Sequence, residues 1–149
     1  MNFDEKETFF IKNEAGTVAL AEKLAAGLRG GELIVFDGDL GAGKTFFTGA
    51  LCEALGVERK KIASPTFVIM KKYSGKLDIY HWDFYRVSSL DELYIADFPE
   101  YLKAENSLTI VEWADMFREC WEAHRPLIRI EIKFGVGDNE REITIGRIN

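Results

Sequence analysis

One eight-residue run, Gly38-Asp39-Leu40-Gly41-Ala42-Gly43-Lys44-Thr45, constrains this chain more than any other feature, because of what flanks it. Ahead of it, Leu33-Ile34-Val35-Phe36 is wholly apolar and partly β-branched, the pattern of a strand covered on both faces in a parallel sheet. Behind it, Phe47, Ala50, Leu51, Ala54 and Leu55 form one apolar face over residues 44–55, and Gly56 stops the helix so implied. Strand, glycine turn and helix in that order match the phosphate-loop pattern G-x-x-x-x-G-K-[ST] in context as well as in letters. The glycines let the backbone curl until successive N–H groups point at phosphate oxygens, and the helix N-terminus adds partial positive charge there.

The expected nucleotide-binding segment is therefore Gly38, Asp39, Leu40, Gly41, Ala42, Gly43, Lys44, Thr45 and Phe46. Lys44 is expected at the β- and γ-phosphates, and the Thr45 hydroxyl on Mg2+, a hard cation that prefers oxygen. Phe46 stands where many such loops carry a second hydroxyl, so only its backbone N–H is available to the α-phosphate. The bland alternative, a glycine turn that merely joins a strand to a helix, is disfavoured by the two flanking elements.

An ATPase of this type needs an acid at the end of a neighbouring strand, to hold the magnesium shell or place the attacking water. Leu108-Thr109-Ile110-Val111-Glu112 is an apolar strand ending in a carboxylate, and it makes Glu112 the primary metal-site acid. The rival is Asp83, at the end of the run His81-Trp82-Asp83, which reads almost as well as a cap or an ion-pair partner of Arg86. Ser64-Pro65-Thr66-Phe67 follows the phosphate-loop helix, where switch segments sense the γ-phosphate. Thr66 is a candidate switch residue there, and reads equally well as ordinary turn chemistry.

The remaining pattern places a short strand at 8–11 and a helix from an Asn13 cap to about residue 28. Strands at 67–73 and 76–82 form a hairpin through Ser74-Gly75. One or two short helices lie in 90–102, broken near Pro99, and a helix runs over 114–124 until Pro126 stops it. Two last strands cover 128–134 and 140–145. The predicted fold class is α/β: a P-loop NTPase-like three-layer fold with a mixed sheet, antiparallel additions and flanking helices. It is expected to form a single domain over residues 1–149.

Composition narrows the function classes. Hydrophobic residues make up 47% and charged residues 30%, an ordinary globular balance. The net charge of −6 and the lack of a long basic run argue against a chain that grips nucleic acid alone; RNA, if involved, is expected to be held by a partner. Arg59-Lys60-Lys61 and Lys71-Lys72 read as solvated surface. The two cysteines, Cys52 and Cys120, are expected to be reduced thiols. Cys120 and His124 have a spacing a metal could use, but a zinc site would need distant ligands. The polar, acidic N-terminus is unlike a signal peptide, and no stretch approaches the roughly 20 apolar residues of a membrane span, so a cytoplasmic location without membrane contact is expected.

Together the motifs resemble one family. Gly38 to Thr45, Ser64-Pro65-Thr66-Phe67, Tyr80-His81-Trp82-Asp83-Phe84-Tyr85-Arg86, Leu90-Asp91-Glu92-Leu93 and Val111-Glu112-Trp113 occur in the order and spacing of TsaE (YjeE) proteins, bacterial ATPases of tRNA threonylcarbamoyladenosine synthesis. The resemblance covers about residues 33–113; beyond Trp113 it rests on length and strand pattern. It implies a Mg2+-dependent ATPase that works with TsaB and TsaD while TsaD transfers the threonylcarbamoyl group to the adenosine beside the anticodon. It implies Lys44, Asp83 and Glu112 as catalytic residues, Thr45 and Glu112 at the metal, and Thr66 in the switch. It also sets Trp113 near the nucleotide or a partner face, unless that ring is only core.

Three other readings remain. A small-molecule or nucleotide kinase would need an arginine-bearing lid, and no Arg-rich insertion is present. A GTPase would need an Asn-Lys-x-Asp motif, and Asn13, Asn106 and Asn139 are followed by Glu14, Ser107 and Glu140. An ATP-gated binding module with negligible hydrolysis shades into the family reading.

Overall fold

The computed structural model describes residues 1–62 and 68–149. The Ser64-Pro65-Thr66-Phe67 segment, with the candidate switch residue Thr66, lies outside the described residues. Seven strands form one mixed sheet: β1 (Glu5–Ile11), β2 (Leu33–Gly38), β3 (Met70–Ser74), β4 (Asp78–Asp83), β5 (Ser107–Glu112), β6 (Leu127–Phe134) and β7 (Arg141–Ile148). Their order is β1-β7-β6-β2-β5-β4-β3. β2 runs parallel to both β5 and β6, and β4 parallel to β5, while β1, β3 and β7 join antiparallel at the two sides. The α/β class with antiparallel additions is as the sequence predicts.

Two cores form because the central strands are apolar on both faces. Ile34, Phe36, Leu108 and Ile110 point to one face, where α1 (Glu14–Ala26) and α2 (Lys44–Ala54) cover them with Leu20, Leu24, Phe47 and Leu51. Leu33, Val35, Trp82 and Val111 point to the other, against α3 (Leu90–Ile95), α4 (Phe98–Leu102) and Trp121. Each large side chain buried in this way stabilises the fold by about 1.5–3 kcal/mol in transfer terms. Asn13 caps α1 as expected, accepting a hydrogen bond from the Gly16 N–H at 3.0 Å.

The break within 90–102 falls near Pro99 as expected, at Asp97, whose backbone is left-handed at φ 61°; Pro99 itself lies in the first turn of α4, where its missing N–H costs nothing. One local expectation needs correction. The helix expected over 114–124 is instead a 3₁₀ segment, Ala114–Cys120, kinked at Phe117. A tertiary contact closes this segment: the Trp121 indole N–H donates to the Ala114 carbonyl at 2.7 Å.

Cys52 and Cys120 are both unpaired, and burial pushes each thiol up to about 12. Cys120 donates to the Phe117 carbonyl at 3.0 Å, and a His124 ring nitrogen lies 2.8 Å from the Gly31 carbonyl oxygen, so their spacing serves local packing. Among the described residues no helix is long and apolar enough to cross a membrane.

Candidate nucleotide site

Because β2, β4 and β5 are mutually parallel, their C-terminal ends open on one edge of the sheet, where α/β folds place their ligands. Gly38 ends β2, Asp83 ends β4 and Glu112 ends β5, with Asp83 paired in register to Glu112. The turn after β2 leads directly into α2, which begins at Lys44. Gly43 takes φ 113°, a conformation that glycine alone adopts without strain. Gly38 is needed for space, since a Cβ there would lie 2.7 Å from the Ile132 carbonyl oxygen.

A cleft of about 480 Å³ gathers Lys44, Thr45, Asp83, Arg86, Glu112 and Trp113 beside the glycine turn. Thr45, at the start of α2, donates its hydroxyl to a Glu112 carboxylate oxygen at 3.4 Å, a long contact that links the loop to the end of β5. Lys44 donates to the Gly38 carbonyl at 2.7 Å, and its ammonium sits 4.2 Å from the centre of the Trp113 ring. That ring also packs on Tyr85 at 4.9 Å between centroids. Trp113 thus lines the cleft and also packs against the second core.

Asp83 and Glu112 sit in different surroundings. Glu112 is only 4% exposed, while Asp83 is half-buried and accepts the Tyr85 N–H at 2.9 Å. Burial raises the Asp83 carboxyl above its ordinary range, and the nearby Glu112 charge adds to this; the Tyr85 hydrogen bond, His81 and Lys44 pull it back. Asp83 therefore caps its own turn, as one sequence reading allows, and also faces the cleft.

The oxygen donors present, the Thr45 hydroxyl and the two carboxylates, suit Mg2+. No group of three or more His, Cys, Asp or Glu that could hold a metal occurs among the described residues. A sparse protein donor set is the pattern for Mg2+, which takes its remaining ligands from phosphates and water.

On the other side of the glycine turn lies a smaller recess of about 180 Å³, lined by Glu14, Thr17, Phe46, Asn139 and Arg141 among others. Arg141 reaches it from β7 and donates to the Ala42 carbonyl at 2.8 Å, fastening the loop to the far side of the sheet. Phe46 contributes its ring to this recess.

Three partners of the site escape sequence reading. His81 hydrogen-bonds Glu112; its signal is the two-residue strand period, which puts it on the same face as Asp83. Arg129 joins Asp37 at 3.0 Å to Asp115 at 2.7 Å and so ties the end of β2 to the turn after β5. Neither Arg129 nor Arg141 carries a local signal, because their partners are remote in sequence.

Comparison with known proteins bears on the whole chain. The family model described as "Threonylcarbamoyl adenosine biosynthesis protein TsaE" matches residues 11–143. A tRNA threonylcarbamoyladenosine biosynthesis protein TsaE from Bacillus subtilis is 41% identical over 133 residues, covering 89% of this chain and 80% of its own. The TsaE of Rickettsia felis is 34% identical over 136 residues, 91% of this chain and 77% of its own. The crystal structure of Bacillus subtilis YdiB superposes with a TM-score of 0.74 at 34% identity, covering 97% of this chain and 87% of that one.

Proposed function

The chain belongs to the TsaE family, and from that membership we propose that it is a Mg2+-dependent ATPase subunit supporting threonylcarbamoyl transfer to the adenosine beside the anticodon of tRNAs that read codons beginning with A. The observation that carries the reading is the meeting of Lys44, Thr45, Asp83 and Glu112 in one cleft at the ends of three parallel strands. Relatives bear the name of the tRNA modification pathway. TsaB- and TsaD-type proteins are the proposed partners, with tRNA held through them and the location cytoplasmic.

In this mechanism the backbone of residues 38–46 cradles the phosphates, and Lys44 neutralises charge at the β- and γ-positions. Magnesium, when bound, would offset the charge that develops on the phosphates during hydrolysis. Thr45 and Glu112 would hold it. Asp83 faces the same space from β4 and would orient the attacking water. The recess of Glu14, Thr17, Phe46, Asn139 and Arg141 takes the adenine side of the nucleotide.

Lys44 rests on the Gly38 carbonyl and the Trp113 ring, and its ammonium keeps further N–H donors for phosphate. The test is ATP turnover measured alone and then with TsaB, TsaD and tRNA. Turnover that rises steeply with the partners is expected. Phosphate transfer to a free small molecule would replace this reading with a kinase.

A further inference from the structure

Glu112 does not stand alone. Its second carboxylate oxygen lies 2.9 Å from Nε2 of His81, and the two side chains are 6% and 1% exposed. An ionised carboxylate only accepts, so Nε2 carries the hydrogen and donates it. Nδ1 is buried without a hydrogen-bond partner among the described residues. An imidazole placed for packing alone would be replaceable by an apolar side chain, which leaves no polar atom unpaired. Here one nitrogen goes unsatisfied while the other is spent entirely on Glu112.

The strand geometry makes the contact a fixed one. His81 pairs with Ile110 on the adjacent parallel strand, and Asp83 pairs with Glu112 two residues further on. His81, Asp83 and Glu112 thus share the sheet face that α2 covers, and the His81 ring is held from behind by Tyr73 at 6.1 Å between centroids. Glu112 presents one oxygen, Oε2, to His81 and the other, Oε1, to Thr45. Its rotamer is fixed from both sides.

We propose that His81 is a positioning residue: it pins one oxygen of Glu112 so that the other faces Thr45 and the metal site. The inference deepens the ATPase reading above and rests on it. Losing such an outer partner of a metal-site carboxylate weakens metal affinity or activity by about 10–100-fold.

The test titrates Mg2+ into the full-length protein with a fluorescent ATP analogue, and records analogue affinity with and without the metal. His81→Leu is expected to raise the Mg2+ concentration needed for half-maximal tightening by about tenfold, with metal-free affinity unchanged. His81→Gln, whose amide N–H reaches the position of Nε2, is expected to restore much of the loss. In a Glu112→Gln background, His81→Leu is expected to add nothing, because the two act as one unit.

An unchanged Mg2+ dependence in a folded His81→Leu protein would overturn the proposal. Equal losses in His81→Leu and His81→Gln, with metal-free affinity falling alongside, would also overturn it by showing a packing role. The wild-type control separates the two levels: a wild-type protein whose analogue binding ignores Mg2+ would sink the magnesium reading itself.

Discussion

Two turns face each other across the cleft, and they are built on opposite principles. The turn of residues 38–44 takes its shape from its own glycines, with Gly43 at φ 113°. The turn after β5 passes through Trp113, which is also left-handed at φ 58° but carries the largest side chain there is. A non-glycine residue in that conformation costs of order 1–3 kcal/mol and persists only where its surroundings impose it. The surroundings are visible: the ring packs at a tilt on Tyr85 and lies under the Lys44 ammonium, and Arg129 holds Asp115 two residues on. One turn is shaped by local backbone freedom. The other is shaped by contacts from β2, β4, β6 and α2.

The largest expected effect tests the first turn. Lys44→Ala is expected to lower turnover in the full complex by about 10²–10³-fold while leaving the thermal midpoint close to wild type. Unaltered nucleotide affinity and turnover in this variant would move the phosphate site away from the glycine turn.

Next come the acids between the turns. Glu112→Gln and Asp83→Asn are expected to spare ATP binding and to lower hydrolysis by at least about tenfold, since each leaves the phosphate cradle in place. Normal hydrolysis by both variants with TsaB, TsaD and tRNA would mean that other groups serve as the acids.

A third experiment addresses the contrast between the turns directly. Trp113→Ala and Trp113→Gly both remove the ring, but only glycine relieves the positive φ. The glycine variant is expected to be more stable than the alanine variant by about 1 kcal/mol, measured as a shift in denaturant midpoint. Gly43→Ala is expected to act in the opposite direction and to destabilise by a similar amount. If alanine proves the better replacement at 113, the turn is not strained by its backbone.

The smallest effect concerns the brace on the second turn. The Arg129 hydrogen bond lowers the Asp115 carboxyl below its ordinary value of 3.8. A lowered carboxylate stabilises the fold above its unfolded-state value and loses that contribution as pH falls through its folded-state value. The stability difference between wild type and Asp115→Asn is therefore expected at neutral pH and is expected to fade below the ordinary carboxylate range. Asp115 is about half exposed, so the difference is small and should shrink in high salt. A difference that persists unchanged at low pH would mean that the charge of Asp115 is not what braces the turn.

The first turn was legible and the second was not, for the same physical reason. Residues 33–55 carry their instructions locally: apolar letters for a doubly covered strand, glycines for a tight curl, and a helical stripe ended by Gly56. Residues 114–124 carry a plausible helical pattern, yet they form a 3₁₀ segment kinked at Phe117 and closed by the Trp121 indole on the Ala114 carbonyl. Sequence also marked Asp83 and Glu112 as acids at strand ends, and the register confirms that they end side by side. It did not show that Glu112 is shared between Thr45 and His81, because that pairing needs β4 and β5 to be neighbours.

The sequence by itself determined the glycine turn, the α/β class, the family and the placement of two acids at strand ends, because each is written in residues close together or in a fixed order. Only the tertiary structure decided the orientation of Glu112, the left-handed turn at Trp113 and the fastening of the loop by Arg129 and Arg141. Those features depend on which strands lie side by side, and a side chain finds a partner 14 to 99 residues away only after the sheet has assembled.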